Sequence, residues 1–130
     1  MNIPPDLKYS KSDEWLKIEG SAGIVGISDY AQQQLSDIVY VEFNFEKGQS
    51  FKQGDALATI ESVKAAAEVN APVPGKISEV NQSLTEAPAT LNDGPYNKGW
   101  MFKIEISDME VVKTLMNSET YQKHCEDRGH

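Results

Sequence analysis

Hydrophobic and polar residues alternate in short runs along most of the chain, and turn-forming residues separate the runs. Trp15-Leu16-Lys17-Ile18 alternates, Gly20-Ser21 supplies a turn, and Ala22 to Ile27 is apolar, which predicts a hairpin within residues 9–27. Ser28 suits a helix N-cap and Asp29 complements the dipole of a first turn, so Tyr30 to Leu35 is expected to be a short helix. Ile38 to Phe45 alternates again, with Val39, Val41, Phe43 and Phe45 on the expected core face and Ile38, Tyr40, Glu42 and Asn44 on the other. Further strands are expected at Ala56 to Glu61, Ala65 to Asn70, Lys76 to Val80 and Trp100 to Ile106, with Ser62-Val63-Lys64 turning the first into the second. Ala71-Pro72-Val73-Pro74-Gly75 breaks the chain, Asn92-Asp93-Gly94-Pro95 reads as a loop, and Thr85 to Leu91 fits neither period. Ser107 and Glu110 have capping-box spacing, which predicts a helix to about Met116, and Ser118 is placed to cap a last helix through Cys125 and Glu126.

Many short strands with turns between them predict a mainly β fold, a small sandwich or barrel, with a short internal helix and a helical C-terminal extension over about 107–127. The length of 130 residues suits one domain, 1–130. A content of 39% hydrophobic and 25% charged residues is that of a globular chain. No apolar run is long enough to cross a membrane. Met1 to Lys8 contains two prolines and no apolar stretch, so no targeting segment is expected.

The inventory of reactive side chains is thin. Cys125 is the lone cysteine, which excludes an internal disulfide and suits a reducing compartment. Both histidines, His124 and His130, lie at the C-terminus, so residues 1–123 offer neither the commonest general base, nor a thiol, nor the usual zinc ligands. His124 and Cys125 are helix neighbours and point apart, which argues against a Cys–His pair. The net charge of −8 disfavours nucleic acid and favours docking to basic patches on proteins.

One stretch carries chemistry, Gly54 to Gly75, in which two short strands flank Ser62-Val63-Lys64. Three alanines follow the lysine and leave its stem uncrowded, and Pro72, Pro74 and Gly75 stop the return strand. A lysine in an exposed turn is ordinarily just a solvated charge. Here the pattern around it makes a rigid base for a long acylated tether, and such an arm brings one end group to several active sites in turn.

Glu61-Ser62-Val63-Lys64-Ala65 resembles the lipoylation motif of the H proteins of the glycine cleavage system. Further blocks follow the same family in order: Leu7-Lys8-Tyr9, Asp13-Glu14-Trp15, Gly26 to Ala31, Val39 to Glu42, Val80-Asn81, Pro95-Tyr96, Gly99-Trp100-Met101 and Cys125-Glu126. The resemblance spans nearly the whole chain. It departs at Asp13, where the family usually has His, and at Ser36, where it typically has Gly. It also departs in a longer Phe43 to Gly48 segment and in the run Ala65-Ala66-Ala67.

The resemblance implies a barrel-sandwich hybrid of the lipoyl-domain type and lipoate in amide linkage on Lys64. It implies a carrier that catalyses no step and is expected to be a monomer. Its partners would be glycine decarboxylase (P protein), the tetrahydrofolate-dependent aminomethyltransferase (T protein), dihydrolipoamide dehydrogenase (L protein) and a lipoylating enzyme. The arm would shuttle the aminomethyl group of glycine between the first two and electrons to the third, in bacterial cytoplasm or in the mitochondrial matrix. Ser12, Glu14 and Glu68 are candidates to contact the arm, and Glu61 and Gly75 to help the lipoylating enzyme recognise the hairpin. Trp15, Trp100, Tyr9 and Tyr40 read as packing residues. The alternatives are a lipoyl or biotinyl domain of another complex, a lipoyl relay protein, or an unmodified interaction module. Biotinyl domains usually flank their lysine with Met, where Val63 and Ala65 stand here.

Overall fold

The computed structural model describes residues 1–128. Its elements in chain order are β1 (Lys8–Tyr9), β2 (Glu14–Glu19), β3 (Ala22–Ile27), α1 (Asp29–Leu35), β4 (Ile38–Phe43), β5 (Ser50–Phe51), β6 (Ala56–Ser62) and β7 (Ala66–Asn70). They continue as β8 (Gly75–Val80), α2 (Ser83–Glu86), α3 (Thr90–Asp93), β9 (Phe102–Ile106), a 3-10 helix (Met109–Thr114) and α4 (Ser118–Arg128). The strands form a six-stranded sheet in the order β1-β2-β3-β9-β8-β5 and a three-stranded sheet in the order β4-β6-β7. No helix among the described residues is long and apolar enough to cross a membrane.

The two sheets share one core. Leu16, Val25, Ile77 and Ile104 from the larger sheet pack with Val41, Ile60 and Val69 from the smaller. Phe43 meets Phe102 edge-on across the gap, with ring centroids 5.3 Å apart. A second cluster lies on the other face of the larger sheet, where Leu7, Tyr9 and Trp15 pack against Tyr121 and Cys125 of α4. Tyr9 and Tyr121 stack at 4.6 Å. Both faces of β2 are therefore covered at this end, so Trp15 and Leu16 are both buried where simple alternation predicts one of them in solvent.

Several expectations shift on contact with the fold. Ile38 is buried and Val39 is exposed, the reverse of the expected faces. The pairing of β4 with β6 slips between Ile38 and Tyr40, and this bulge inverts the in-out phase before Val41. Tyr40 accordingly lies on the surface, its hydroxyl 3.3 Å from Glu42. Thr85 to Leu91 runs from the end of α2 across a turn at 87–89 into α3, and α3 includes Asn92 and Asp93. The helix expected after Ser107 is a 3-10 turn capped instead by Asp108, whose carboxylate accepts the Glu110 N–H. Asn117 rather than Ser118 caps α4, accepting the Thr120 N–H at 2.9 Å. Ser28 caps α1 as expected, accepting from the Ala31 N–H.

The corner after α1 explains one departure from the family pattern. Ser36 has φ 63° and ψ −150°, a region that glycine enters freely and other residues enter at a cost. Its side chain is exposed, so nothing is lost by deleting it. Ser36→Gly is expected to stabilise the fold by about 1 kcal/mol, the relieved strain being partly offset by the greater freedom of an unfolded glycine. Thermal unfolding of the two proteins checks this, and an unchanged or lower midpoint contradicts it.

Candidate functional site

Lys64 stands at the tip of the β6–β7 hairpin. The tip is exposed from Val63 through Ala66. No glycine or proline shapes it; Ser62 does. The Ser62 N–H donates to the Ala65 carbonyl at 2.7 Å, and its hydroxyl oxygen accepts from the N–H groups of Lys64 and Ala65. The Val63 N–H donates to the Asp37 carbonyl at 3.0 Å, which ties the tip to the start of β4. The lysine side chain thus leaves a turn whose backbone amides are satisfied, while the side chain itself has open space around it.

Beside this hairpin, β7, β6, α1 and the turn before β2 enclose a cleft of about 150 Å³. Ile27, Leu35, Ile60, Ala67 and Val69 give it apolar walls, and Ser12, Asp13, Glu14 and Glu68 give it a polar side. The fold brings the three arm-contacting candidates, Ser12, Glu14 and Glu68, to one place from turn and strands. Glu61 and Gly75 lie elsewhere. Glu61 is exposed on β6, opposite Tyr40 and Ala66. Gly75 is buried at the start of β8, paired to Phe51 on one side and Ile106 on the other.

Glu14 is the unusual member, a carboxylate with 1% of its surface exposed. The hydroxyls of Ser10 and Ser12 donate to its Oε1 at 2.6 and 2.5 Å, and the Asn70 N–H donates to its Oε2 at 3.0 Å. Burial pushes its pKa up to about 7; the three donors oppose that rise and the neighbouring charge of Asp13 adds to it. Ser10 and Asn70 were not candidates on sequence grounds. Ser10 belongs to the Ser10-x-Ser12-x-Glu14 spacing, which is a readable signal, whereas Asn70 contributes a backbone group from 56 residues away that no local pattern announces.

The raised pKa makes a stability prediction. A carboxyl that binds its proton more tightly when folded favours the fold while protonated, so this contribution falls as pH rises from about 4.5 through about 7. The full difference amounts to roughly 3 kcal/mol. Urea unfolding of wild type and Glu14→Gln between pH 5 and 8 should show the wild type losing stability relative to the variant as pH rises. Parallel pH profiles would contradict the assignment.

The two-sheet fold presents a lysine on a hairpin tip beside an apolar and acidic cleft, an arrangement that suits a carrier domain. The comparisons with known proteins agree. A family profile described as glycine cleavage H-protein matches residues 7–128, and the chain belongs to that family. A glycine cleavage system H protein of Carboxydothermus hydrogenoformans is 46% identical over 127 residues, covering 98% of this chain and 97% of that one. The mitochondrial glycine cleavage system H protein 2 of Arabidopsis thaliana is 48% identical over 122 residues, covering 94% of this chain and 78% of the relative. The crystal structure of a Mycobacterium marinum glycine cleavage system H protein superposes with a TM-score of 0.83 at 29% identity, covering 98% of this chain and all of that one. The protein is therefore a non-catalytic lipoyl carrier of glycine cleavage, working with the enzymes of that system.

Proposed function

We propose that Lys64 is the residue on this chain that bears lipoate, and that the cleft lined by Ser12, Glu14 and Glu68 receives the far end of the arm. The observation that carries the reading is the placement of an exposed lysine at a hairpin tip three residues from Ala67 in the cleft wall. Three residues of extended strand span about 10 Å, which a lysine stem bearing an eight-carbon acyl chain can exceed. The cleft suits such a group: its apolar walls match a hydrocarbon stem, and its carboxylates match a protonated amine at the end.

Lipoate on Lys64 supplies a dithiolane that takes up a one-carbon amine and a pair of electrons. The chain's own residues do the rest. Ser62 fixes the base of the arm. The apolar residues exclude water from the cleft. A cation entering beside Glu14 favours the ionised carboxylate, so any proton on Glu14 passes to bulk water as the amine is held, and Glu68 adds a second carboxylate on the polar side of the cleft. The expected partners are the glycine decarboxylase, the aminomethyltransferase, the dihydrolipoamide dehydrogenase and a lipoylating enzyme that reads the hairpin, with Glu61 as one point of contact.

Reconstitution tests the reading. Carbon dioxide release from glycine by the pyridoxal-phosphate decarboxylase should depend on adding the lipoylated chain, and independence would sink it. The cleft has its own test. Glu14→Ala and Glu68→Ala are each expected to speed the loss of ammonia from the glycine-loaded protein in water, Glu14→Ala by about ten-fold, the scale of one charge-assisted hydrogen bond. If both variants lose ammonia at the wild-type rate, the arm is not held there.

A further inference from the structure

A helix that does not line the cleft, α4, bonds the turn that supplies its polar side. Its turn from Ser10 to Glu14 is shaped by Asp13, which has φ 78°, a left-handed conformation that non-glycine residues enter at a cost. The Asp13 N–H donates to the Ser10 carbonyl at 3.2 Å, and the Asp13 carbonyl accepts the Ser28 N–H at 2.9 Å. Ser12 and Glu14 flank Asp13 directly, so its backbone sets where both side chains point.

Asp13 is held from α4. Its Oδ1 accepts from the Tyr121 hydroxyl at 2.8 Å and from the Arg128 guanidinium. That guanidinium also lies over the ring of Tyr30, 4.7 Å from its centroid. Tyr30 belongs to α1, whose Ala31 and Leu35 form part of the cleft wall. Tyr121, His124 and Arg128 recur at helical spacing, which puts them on one face, and the His124 Nε2 lies 3.2 Å from the Lys11 carbonyl of the same turn. The charged groups on this side of the cleft are Asp13 and Lys11 on the turn of Glu14 and Glu68 on β7, and α4 brings His124 against the Lys11 carbonyl and Arg128 onto the Asp13 carboxylate.

We propose that Arg128 is a positioning residue for the arm cleft: it grips Asp13 and Tyr30 together, fixes two of the cleft walls against each other, and cancels the Asp13 charge beside Glu14. This rests on the cleft being the arm's seat. It makes the end of α4 a latch on the site rather than a cover for the core. Tyr121 is fully buried and its loss would disturb the second core cluster, whereas Arg128 is partly exposed at the helix end and can be replaced without opening the core.

The full, unlipoylated chain suffices for the test. Carbon-13 NMR reads the titration of Glu14, and amide exchange reads Asn70, which donates to Glu14, and Ser28, which donates to Asp13. In Arg128→Ala the uncancelled Asp13 charge should move the Glu14 midpoint upward, and the Asn70 and Ser28 amides should exchange roughly five-fold faster, the scale of one partly exposed ion pair. The Ile77 amide, bonded to the Gln49 carbonyl near the opposite edge of the larger sheet, should not change. Arg128→Lys keeps the charge and loses the planar stack, so its midpoint should stay near wild type while exchange speeds up. A flat titration with flat exchange overturns the latch, as does acceleration that includes Ile77 equally, which marks a global loss of stability. The two readings fail differently. A failed latch leaves Glu14→Ala still speeding ammonia loss, and a failed cleft leaves Glu14→Ala without effect.

Discussion

Lys64→Arg should fold as the wild type does, take up no lipoate, and support no glycine decarboxylation. Arginine keeps the charge and the reach of lysine, and the side chain at this tip is exposed, so the exchange removes no buried contact. What it removes is the primary amine that an amide bond to lipoate requires. The turn itself is built by Ser62 and by the Val63 N–H to the Asp37 carbonyl, none of which involves the lysine side chain. The effect on carrier activity is therefore all or none, while thermal unfolding should not move. Treatment with a lipoate ligase followed by intact mass, run beside a circular dichroism melt, separates the two readouts. Uptake of lipoate by the variant would mean that another lysine carries the arm.

Gly75→Ala should do the opposite and destroy the fold without touching the hairpin tip. A Cβ at Gly75 would lie 2.1 Å from the Glu105 carbonyl oxygen and 3.2 Å from the Phe51 ring. The first of these is backbone of β9 in the middle of the larger sheet and has no rotamer to escape into. Either β8 and β9 separate, losing the Gly75–Ile106 register, or β5 is pushed off its edge. We expect a loss of about 3 kcal/mol or more, at the upper end of overpacking effects. Urea unfolding reads it, and a loss below about 1 kcal/mol would contradict the close approach. The residue's identity thus has a packing reason, so a variant that escapes lipoylation must be shown to be folded before recognition is inferred. Glu61→Ala is the cleaner probe of recognition, because Glu61 is exposed and its loss leaves the sheet intact.

The sequence announced the strands well where one face alone is buried, as in β9, whose burial alternates cleanly from Phe102 to Ile106. It misled where a local irregularity resets the phase. The extra residue at Val39 leaves no mark on composition, yet it exchanges the roles of Ile38 and Val39. Caps shifted by one residue because good capping side chains stand side by side, Ser107 beside Asp108 and Asn117 beside Ser118, and backbone geometry chose between them.

The site divides in the same way. The place of Lys64 at an exposed hairpin tip was legible from the two strands around Ser62-Val63-Lys64, whereas its reading as the modified residue rests on the extended motif, since hairpin physics alone leaves it a solvated charge. The cleft was half legible. Ser12, Glu14 and Glu68 were nameable through the family pattern, and they do meet. The burial of Glu14 was not readable, since a carboxylate opening a strand looks exposed. Only the convergence of Ser10, Ser12 and the distant Asn70 amide makes its burial tolerable. The latch from Arg128 to Asp13 was invisible for the same reason, since its partners are 115 residues apart.

The most direct test of the central claim is the intact mass of the protein purified from its own source, with fragmentation to place any adduct. One lipoyl-sized increment is expected, located on Lys64. An adduct on a different lysine, or an unmodified chain that also resists a lipoate ligase in vitro, would contradict it.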